Sequence, residues 1–438
     1  MSADAPVNVS TPGASFYLPH TDPSPGTALS PVDWPQNKHL PKLFTPITIG
    51  KDAKMHFKNR IFVAPMCQYS CEAEGPRAGC LTPWHHVHLG AFAVRGAAVV
   101  MVEATSVLPN GRISPQDSGL WNDTQRDALK PIFDFIRAQG ARPAIQLGHA
   151  GRKASTLAPW LDTSTIKPPL KSHIATPGAA QGWTDVWGPS AIPYDAETYP
   201  HPIEMTEQNI QELKDAWKAS VIRADQAGAD IVEVHAAHGY LIHNFLSPLS
   251  NQRTDKYGGS LENRMRLPLE LVEITRAVWP KNKPVFIRIS GTDWHPDGET
   301  NDKGDYISWG VEQSKAFLAE CIKRGVDMMD VSSGGLFPGQ QIPIGPGYQV
   351  PLATEVKASM SPNATIPISS VGLITDGKQA EDILEQNKAD VITVAREFLR
   401  DADLVFNWAM QLGCVVNVPV EYQRGWTRMM TKPEDKKH

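Results

Sequence analysis

Three histidines and a tyrosine stand close together in HAAHGYLIH, which follows directly on ADIVEV, a run with the look of a buried strand. Imidazoles at His235 and His238 can donate hydrogen bonds to an oxygen that gains negative charge, and the phenol of Tyr240 can donate a proton. Two histidines three apart could also share a metal ion. No HExxH glutamate accompanies them, however, and among the neighbouring strand ends only Glu103 is acidic. Gln146 and Arg288 offer an amide and a permanent cation, which suit a planar heterocycle with carbonyl oxygens and a ring nitrogen that becomes anionic. Each alone could simply close a barrel mouth with internal hydrogen bonds. VGLITDG and VAREFL add backbone N–H groups and an arginine, the equipment with which many barrels hold a phosphate.

These residues need a frame. Eight short apolar runs, RIFVAPM, AAVVMVEA, ARPAIQLG, ADIVEVH, PVFIRIS, VDMMDVS, IPISSV and ADVITVA, alternate with helix-like segments. In the segment before the fourth run, Thr206 can cap, Ile210, Leu213, Trp217 and Val221 form one stripe, and Gly228 ends the helix. Apolar strands separated by helices imply a parallel sheet covered on its faces, and eight such units predict an α/β fold closed as a (β/α)8 TIM barrel. A doubly wound open sheet is the alternative, but no GxGxxG follows the first strand. The predicted organisation is an N-terminal surface arm over 1–45, a barrel over 46–426 and a C-terminal tail over 427–438. A Pro-, Ser-, Thr- and Gly-rich excursion, about 154–205, is expected between strands 3 and 4. Active sites on this fold sit at the C-terminal strand ends. There the sequence places Pro65, Met66, Cys67 with Tyr69, Ala104, Gln146, His235, His238, Tyr240, Arg288, Ser333, Gly334, Gly372, Ala395 and Arg396.

Of the 438 residues, 41% are hydrophobic and 20% charged, with a formal net charge of -5. That is apolar enough for a full core, and it gives no basic stripe for nucleic acid and no polybasic segment for a membrane. No apolar run approaches the roughly 18 residues of a membrane span, and the start has no signal-peptide pattern. A cytoplasmic protein is the expectation. Five cysteines, Cys67, Cys71, Cys80, Cys321 and Cys414, suggest reduced thiols, and their spacing fits neither a zinc site nor an iron–sulfur run.

The blocks APMCQYS, LTPWHHVHLG, NGRISPQDSGLW, IQLGHAGRK, EVHAAHGYLIHNFLSPLSNQRTDKYGGSLENR, FIRISGTD, VSSGG, VGLITDG, AREFLRD and EYQRGW together resemble the Old Yellow Enzyme family of flavin-dependent ene-reductases, in its thermophilic-like, cysteine-containing branch. The resemblance implies a noncovalent FMN, with Arg288 and Gln146 at the pyrimidine edge, the Ala104 backbone near O4, and Pro65 and Met66 against the ring. It implies that Cys67 tunes the flavin potential and that Ser333, Gly334, Gly372, Ala395 and Arg396 hold the phosphate, alanine replacing the expected glycine before the arginine. NADPH or NADH would reduce the flavin. The substrates implied are small enones, enals, maleimides and nitroalkenes, with the carbonyl held by His235 and His238, Tyr69 lining the site and Tyr240 protonating the α-carbon. Arg424 matches an arginine that reaches a neighbouring subunit's site, which implies a homodimer or higher homo-oligomer. The alternative is an FMN-barrel oxidoreductase or isomerase of a biosynthetic pathway without net alkene reduction. Relatives with an iron–sulfur segment and a second nucleotide domain are less similar, since this chain is expected to end about 40 residues beyond strand eight.

Overall fold

In the computed structural model, residues 7–50, 55–162 and 172–430 are described. Eight parallel strands close into a barrel: β1 (Ile61–Val63), β2 (Val99–Ser106), β3 (Arg142–Gly148), β4 (Ile231–Ala236), β5 (Val285–Ser290), β6 (Met328–Ser332), β7 (Ile368–Ser370) and β8 (Val391–Val394). Ile392 in β8 pairs with Ile61 in β1 and completes the ring. All eight are the runs the sequence singled out. The surrounding helices are α1 (Pro83–Val94), α2 (Asp123–Ala138), α3 (Glu207–Ala227), α4 (Leu261–Val278), α5 (Val311–Lys323), α6 (Val350–Ala358), α7 (Gly377–Glu385) and α8 (Leu404–Gln411).

Helix α3 shows why these boundaries fall where they do. The Thr206 hydroxyl accepts from the Asn209 amide, the stripe Ile210, Leu213, Trp217 and Val221 is buried, and Gly228 ends the helix in the left-handed region at φ 99°. That buried stripe belongs to the same core cluster as Val232 and Val234, which alternate in β4 with the inward-facing residues.

Side chains alternate along each strand, and the inward set changes character from bottom to top. At the bottom, Phe62, Val99, Met101, Ala144, Ile231, Phe286, Met328 and Val391 form an apolar plug. A hairpin of Ile47–Ile49 and Met55–Phe57 caps it, burying Ile49 and Phe57. Further up the inward positions are polar: Gln146, Glu233, Arg288 and Asp330, all buried, and then His235 and Ser332. The barrel is thus an apolar floor supporting a polar mouth.

The N-terminal arm lies on the surface only in part. Leu43 and Phe44 are fully buried in the main core, Asn37 donates to Leu29 and Val415 carbonyls, and Ala28 bridges to Val416. The expected excursion between β3 and β4 is present, with a two-residue pairing of Trp187–Gly188 and Ile203–Glu204; its residues 163–171 lie outside the described residues. A final helix, α9 (Gln423–Met430), packs Trp426 edge-on against Phe406 at 5.1 Å. The predicted tail begins inside α9, and residues 431–438 lie outside the described residues. Among the described residues, no helix is long and apolar enough to cross a membrane.

Candidate active site

The turn after β4 carries the histidine block. His238 adopts φ 61°, its amide donates to Ser290 Oγ, and Lys153 Nζ donates to its carbonyl at 2.9 Å. His243 accepts from the Gly239 amide on Nδ1, which leaves the proton on Nε2, 3.0 Å from Asp293 Oδ1. This third histidine is therefore a strut. It fixes the turn that presents the other two, whose rings stand edge to face at 5.3 Å, with the Tyr240 ring 5.1 Å from His235. Burial, followed by nearby cationic groups such as Arg288, pulls the pKa of His235 well below the ordinary range. Burial, then His235 and Arg288, does the same to His238, so both act as neutral imidazoles. Burial, followed by Cys67, pushes the Tyr240 phenol well up, so it keeps its proton.

Beneath them lies a charged layer with one cation and two carboxylates. Arg288 Nε stands 2.7 Å from Asp330 Oδ2, and Gln146 Nε2 donates to Glu233 Oε1 at 2.7 Å. Burial first, then the charge of Asp330, raises Glu233 to about 8, with Arg288 opposing. One guanidinium neutralises one carboxylate, so the second holds a proton at neutral pH. The bond to Glu233 also turns the Gln146 amide, so its oxygen is free to accept from above.

A cavity of about 300 Å³ opens beside this layer, lined by Pro65, His238, Arg288, Ser333, Gly372, Ala395 and Arg396 among others. Gly372 has φ 113°, and a Cβ there would fall 2.4 Å from Gln349 Nε2. Among the described residues, the amides of Gly372 and Ala395 make no backbone hydrogen bond. Gly334 differs: its amide donates to the Thr292 carbonyl, and the residue does not line this cavity. Buried Nδ1 of His235 has no hydrogen-bond partner among the described residues. The cation of Arg288 and the open amides of Gly372 and Ala395 on this cavity, with the Gln146 amide in the same barrel layer as Arg288 and the orphaned His235 nitrogen above that layer, fit a flavin mononucleotide.

The remaining sequence candidates surround this cavity or stand apart from it. Cys67 is a partly buried free thiol whose pKa is raised by burial and then by Asp117 and Glu103, while the Ala104 amide opposes. Met66 packs on the main core and Tyr69, at φ 48°, meets Trp160 of the excursion edge-on at 5.5 Å. Arg424 is exposed on α9. Several participants went unnoticed in the sequence: Lys153, Glu233, Asp330, Ser332 and Gln349. Strict alternation along VEVH and MMDVS would have revealed Glu233, Asp330 and Ser332 as inward residues. Gln349 precedes α6 with no local signal.

The closed barrel with its polar mouth and adjoining cavity fits a flavin-dependent TIM-barrel reductase. The chain belongs to the NADH:flavin oxidoreductase / NADH oxidase family, whose profile matches residues 42–413, and is thus a member of the Old Yellow Enzyme family with FMN as cofactor and a nicotinamide nucleotide as reductant. It is 42% identical over 424 residues to a NADH:flavin oxidoreductase of Gibberella zeae, covering 96% of this chain and 95% of the relative. It is 40% identical to the NADPH dehydrogenase of Geobacillus thermodenitrificans, covering 88% and 98% respectively. Among solved structures, morphinone reductase superposes with a TM-score of 0.63 at 25% identity, covering 86% of this chain and 91% of that one. A 2-naphthoyl-CoA reductase gives a TM-score of 0.69 at 25% identity, and this chain covers 51% of its length.

Proposed function

We propose that the protein is an ene-reductase that reduces the activated C=C bond of α,β-unsaturated carbonyl compounds. The observation that carries this reading is the cluster of two neutral imidazoles and a protonated phenol at the mouth of β4. Arg288, Gln146 and the cavity residues would hold FMN, which would supply the hydride for the alkene β-carbon. His235 and His238 donate to the carbonyl oxygen, polarising the alkene and stabilising negative charge on that oxygen. Tyr240 hands its phenolic proton to the α-carbon from the opposite face, giving net trans addition. Its raised pKa suits this role, since a phenol that stays protonated remains a donor at every pH near neutrality.

In the same reading, Pro65, Met66, Cys67 and the Ala104 backbone border the ring, and Ser333, Gly372, Ala395 and Arg396 hold the phosphate. Gly334 would support that loop from behind, since its amide is engaged by Thr292. Tyr69 and Trp160 would form one wall for small enones, enals, maleimides and nitroalkenes. Arg424 is assigned to a neighbouring copy's site, which its exposure on α9 permits, and a cytoplasmic homodimer with an arm over 1–45 completes the proposal. Anaerobic incubation with NADPH and 2-cyclohexenone tests the activity: formation of cyclohexanone equal to NADPH consumed is expected. Enone left unchanged in the anaerobic mixture, with NADPH consumed only after oxygen is admitted, would refute it.

A further inference from the structure

Strand β2 is interrupted near its upper end. Val102 pairs with Ile145 and Thr105 with Leu147, so Glu103 and Ala104 together face the single residue Gln146, which is a β-bulge. Strict alternation from the inward Val99 and Met101 would aim residue 103 into the barrel, toward the layer of Gln146, Glu233, Arg288 and Asp330. The bulge turns it elsewhere. Glu103 is buried, yet Arg288 pairs with Asp330, and the Glu103 carboxylate meets the loop after β1 and the start of α1. Its Oε1 accepts from the Gln68 amide at 3.0 Å, and its Oε2 stands 3.4 Å from His85 Nε2. His85 Nδ1 accepts from the Thr82 amide at 3.0 Å, which leaves the ring N–H at Nε2, near Glu103 and the more distant Cys71 Sγ at 4.0 Å.

The two bulge residues grip the Cys67–Gln68 pair at two points. The Glu103 side chain takes the Gln68 N–H, and the Ala104 amide is aimed at the Cys67 sulfur. A planar trans peptide whose N–H is held has its carbonyl fixed on the opposite side, so the Cys67 carbonyl is set as well. Gln68 is tied further: its Nε2 donates to the Met66 carbonyl at 2.9 Å, and its Oε1 accepts from Trp84 Nε1 at 3.1 Å. We infer that Glu103 is a positioning residue that holds Cys67 in place against the flavin and sets a negative charge behind its thiol. That charge acts after burial and Asp117 in opposing ionisation of Cys67. The inference rests on the proposed placement of Cys67 beside FMN for its functional sense, whereas the carboxylate's hold on the loop is read independently of it.

Hydrogen–deuterium exchange of the holoenzyme, resolved to single amides by fragmentation mass spectrometry, measures that hold. In Glu103→Met the Gln68 amide should exchange about 10-fold faster than in the parent, the value of one lost hydrogen bond to a charged group. Parent-like protection of Gln68 would overturn the inference. Glu103→Gln, which removes the charge at nearly constant size, supplies the second measurement. At equal FMN content its flavin reduction potential should rise, because losing a nearby negative charge favours the uptake of electrons. A potential at or below the parent's, in a protein whose Cys67→Ala counterpart does shift, would also overturn it. A Cys67→Ala protein at the parent's potential would count against the placement of Cys67 itself, and the exchange result then decides the inference alone.

Discussion

Replacing Arg288 by methionine should change how stability depends on pH, because the guanidinium is the cation set against the two carboxylates of the barrel's charged layer. Glu233, raised to about 8, carries a proton in the folded protein that the unfolded chain releases near its ordinary value of 4.5. Such a group contributes stability that is fully present below about 4.5 and is lost as pH rises through about 8, at about 1.4 kcal/mol per pH unit. Asp330 is raised by burial but held down by Arg288 at 2.7 Å. Without the arginine it too should keep its proton, so two protons separate folded from unfolded states and the slope steepens by another 1.4 kcal/mol per unit, approximately. From about pH 5.5 to about 7 the variant should lose roughly 2 kcal/mol more than the parent, on top of about 3–5 kcal/mol for breaking the buried pair. Urea unfolding of both proteins, stripped of FMN, measures this directly. Adding Asp330→Asn should return the slope to that of the parent. An Arg288→Met protein with the parent's slope would show that Asp330 and Glu233 do not share one compensating charge.

Gly372→Ala should weaken FMN binding by about 10-fold or more, since the left-handed backbone alone costs about 1–3 kcal/mol and the methyl group meets Gln349; fluorescence titration of flavin-free protein checks it. Cys67→Ala should shift the flavin reduction potential while retaining turnover, and complete loss of activity with FMN still bound would contradict that role. His149, buried and held at a pKa of about 3, refuses a proton that the unfolded chain accepts below about 6.5, so stability should fall as pH drops from there toward 3. His149→Asn, which keeps an acceptor for the Gly151 amide, should narrow the stability difference between about pH 6.5 and about pH 5 by about 2 kcal/mol in urea unfolding.

The barrel was legible because each strand run is bounded by its own turn and helix signals, as Thr206 and Gly228 show around α3. The histidine block was legible as a candidate site, since imidazoles and a phenol gather at a strand end. Its internal division of labour was not: His243 has the same residue type as His235, and only the Gly239 and Asp293 contacts make it a strut. Reading ADIVEV as a continuous apolar run concealed Glu233, because one acidic residue among valines looks like noise until the pleat points it inward. Gln349 and Lys153 were invisible for a different reason. Lys153 reaches His238 across 85 residues of chain, and Gln349 reaches Ser333 across an irregular loop of 16, and neither spacing has a periodic pattern that reports the contact. The arm was misjudged through composition, since Leu43 and Phe44 enter the core from a Pro-rich stretch.

The central claim is that the β4 turn delivers a proton to an alkene held by two histidines. Stopped-flow kinetics of Tyr240→Phe separates its steps. Reduction of the bound flavin by NADPH should survive, because the phenol takes no part in it, while reoxidation by 2-cyclohexenone should slow at least about 100-fold. Unchanged enone-driven reoxidation in Tyr240→Phe would mean the proton comes from elsewhere and would contradict the account.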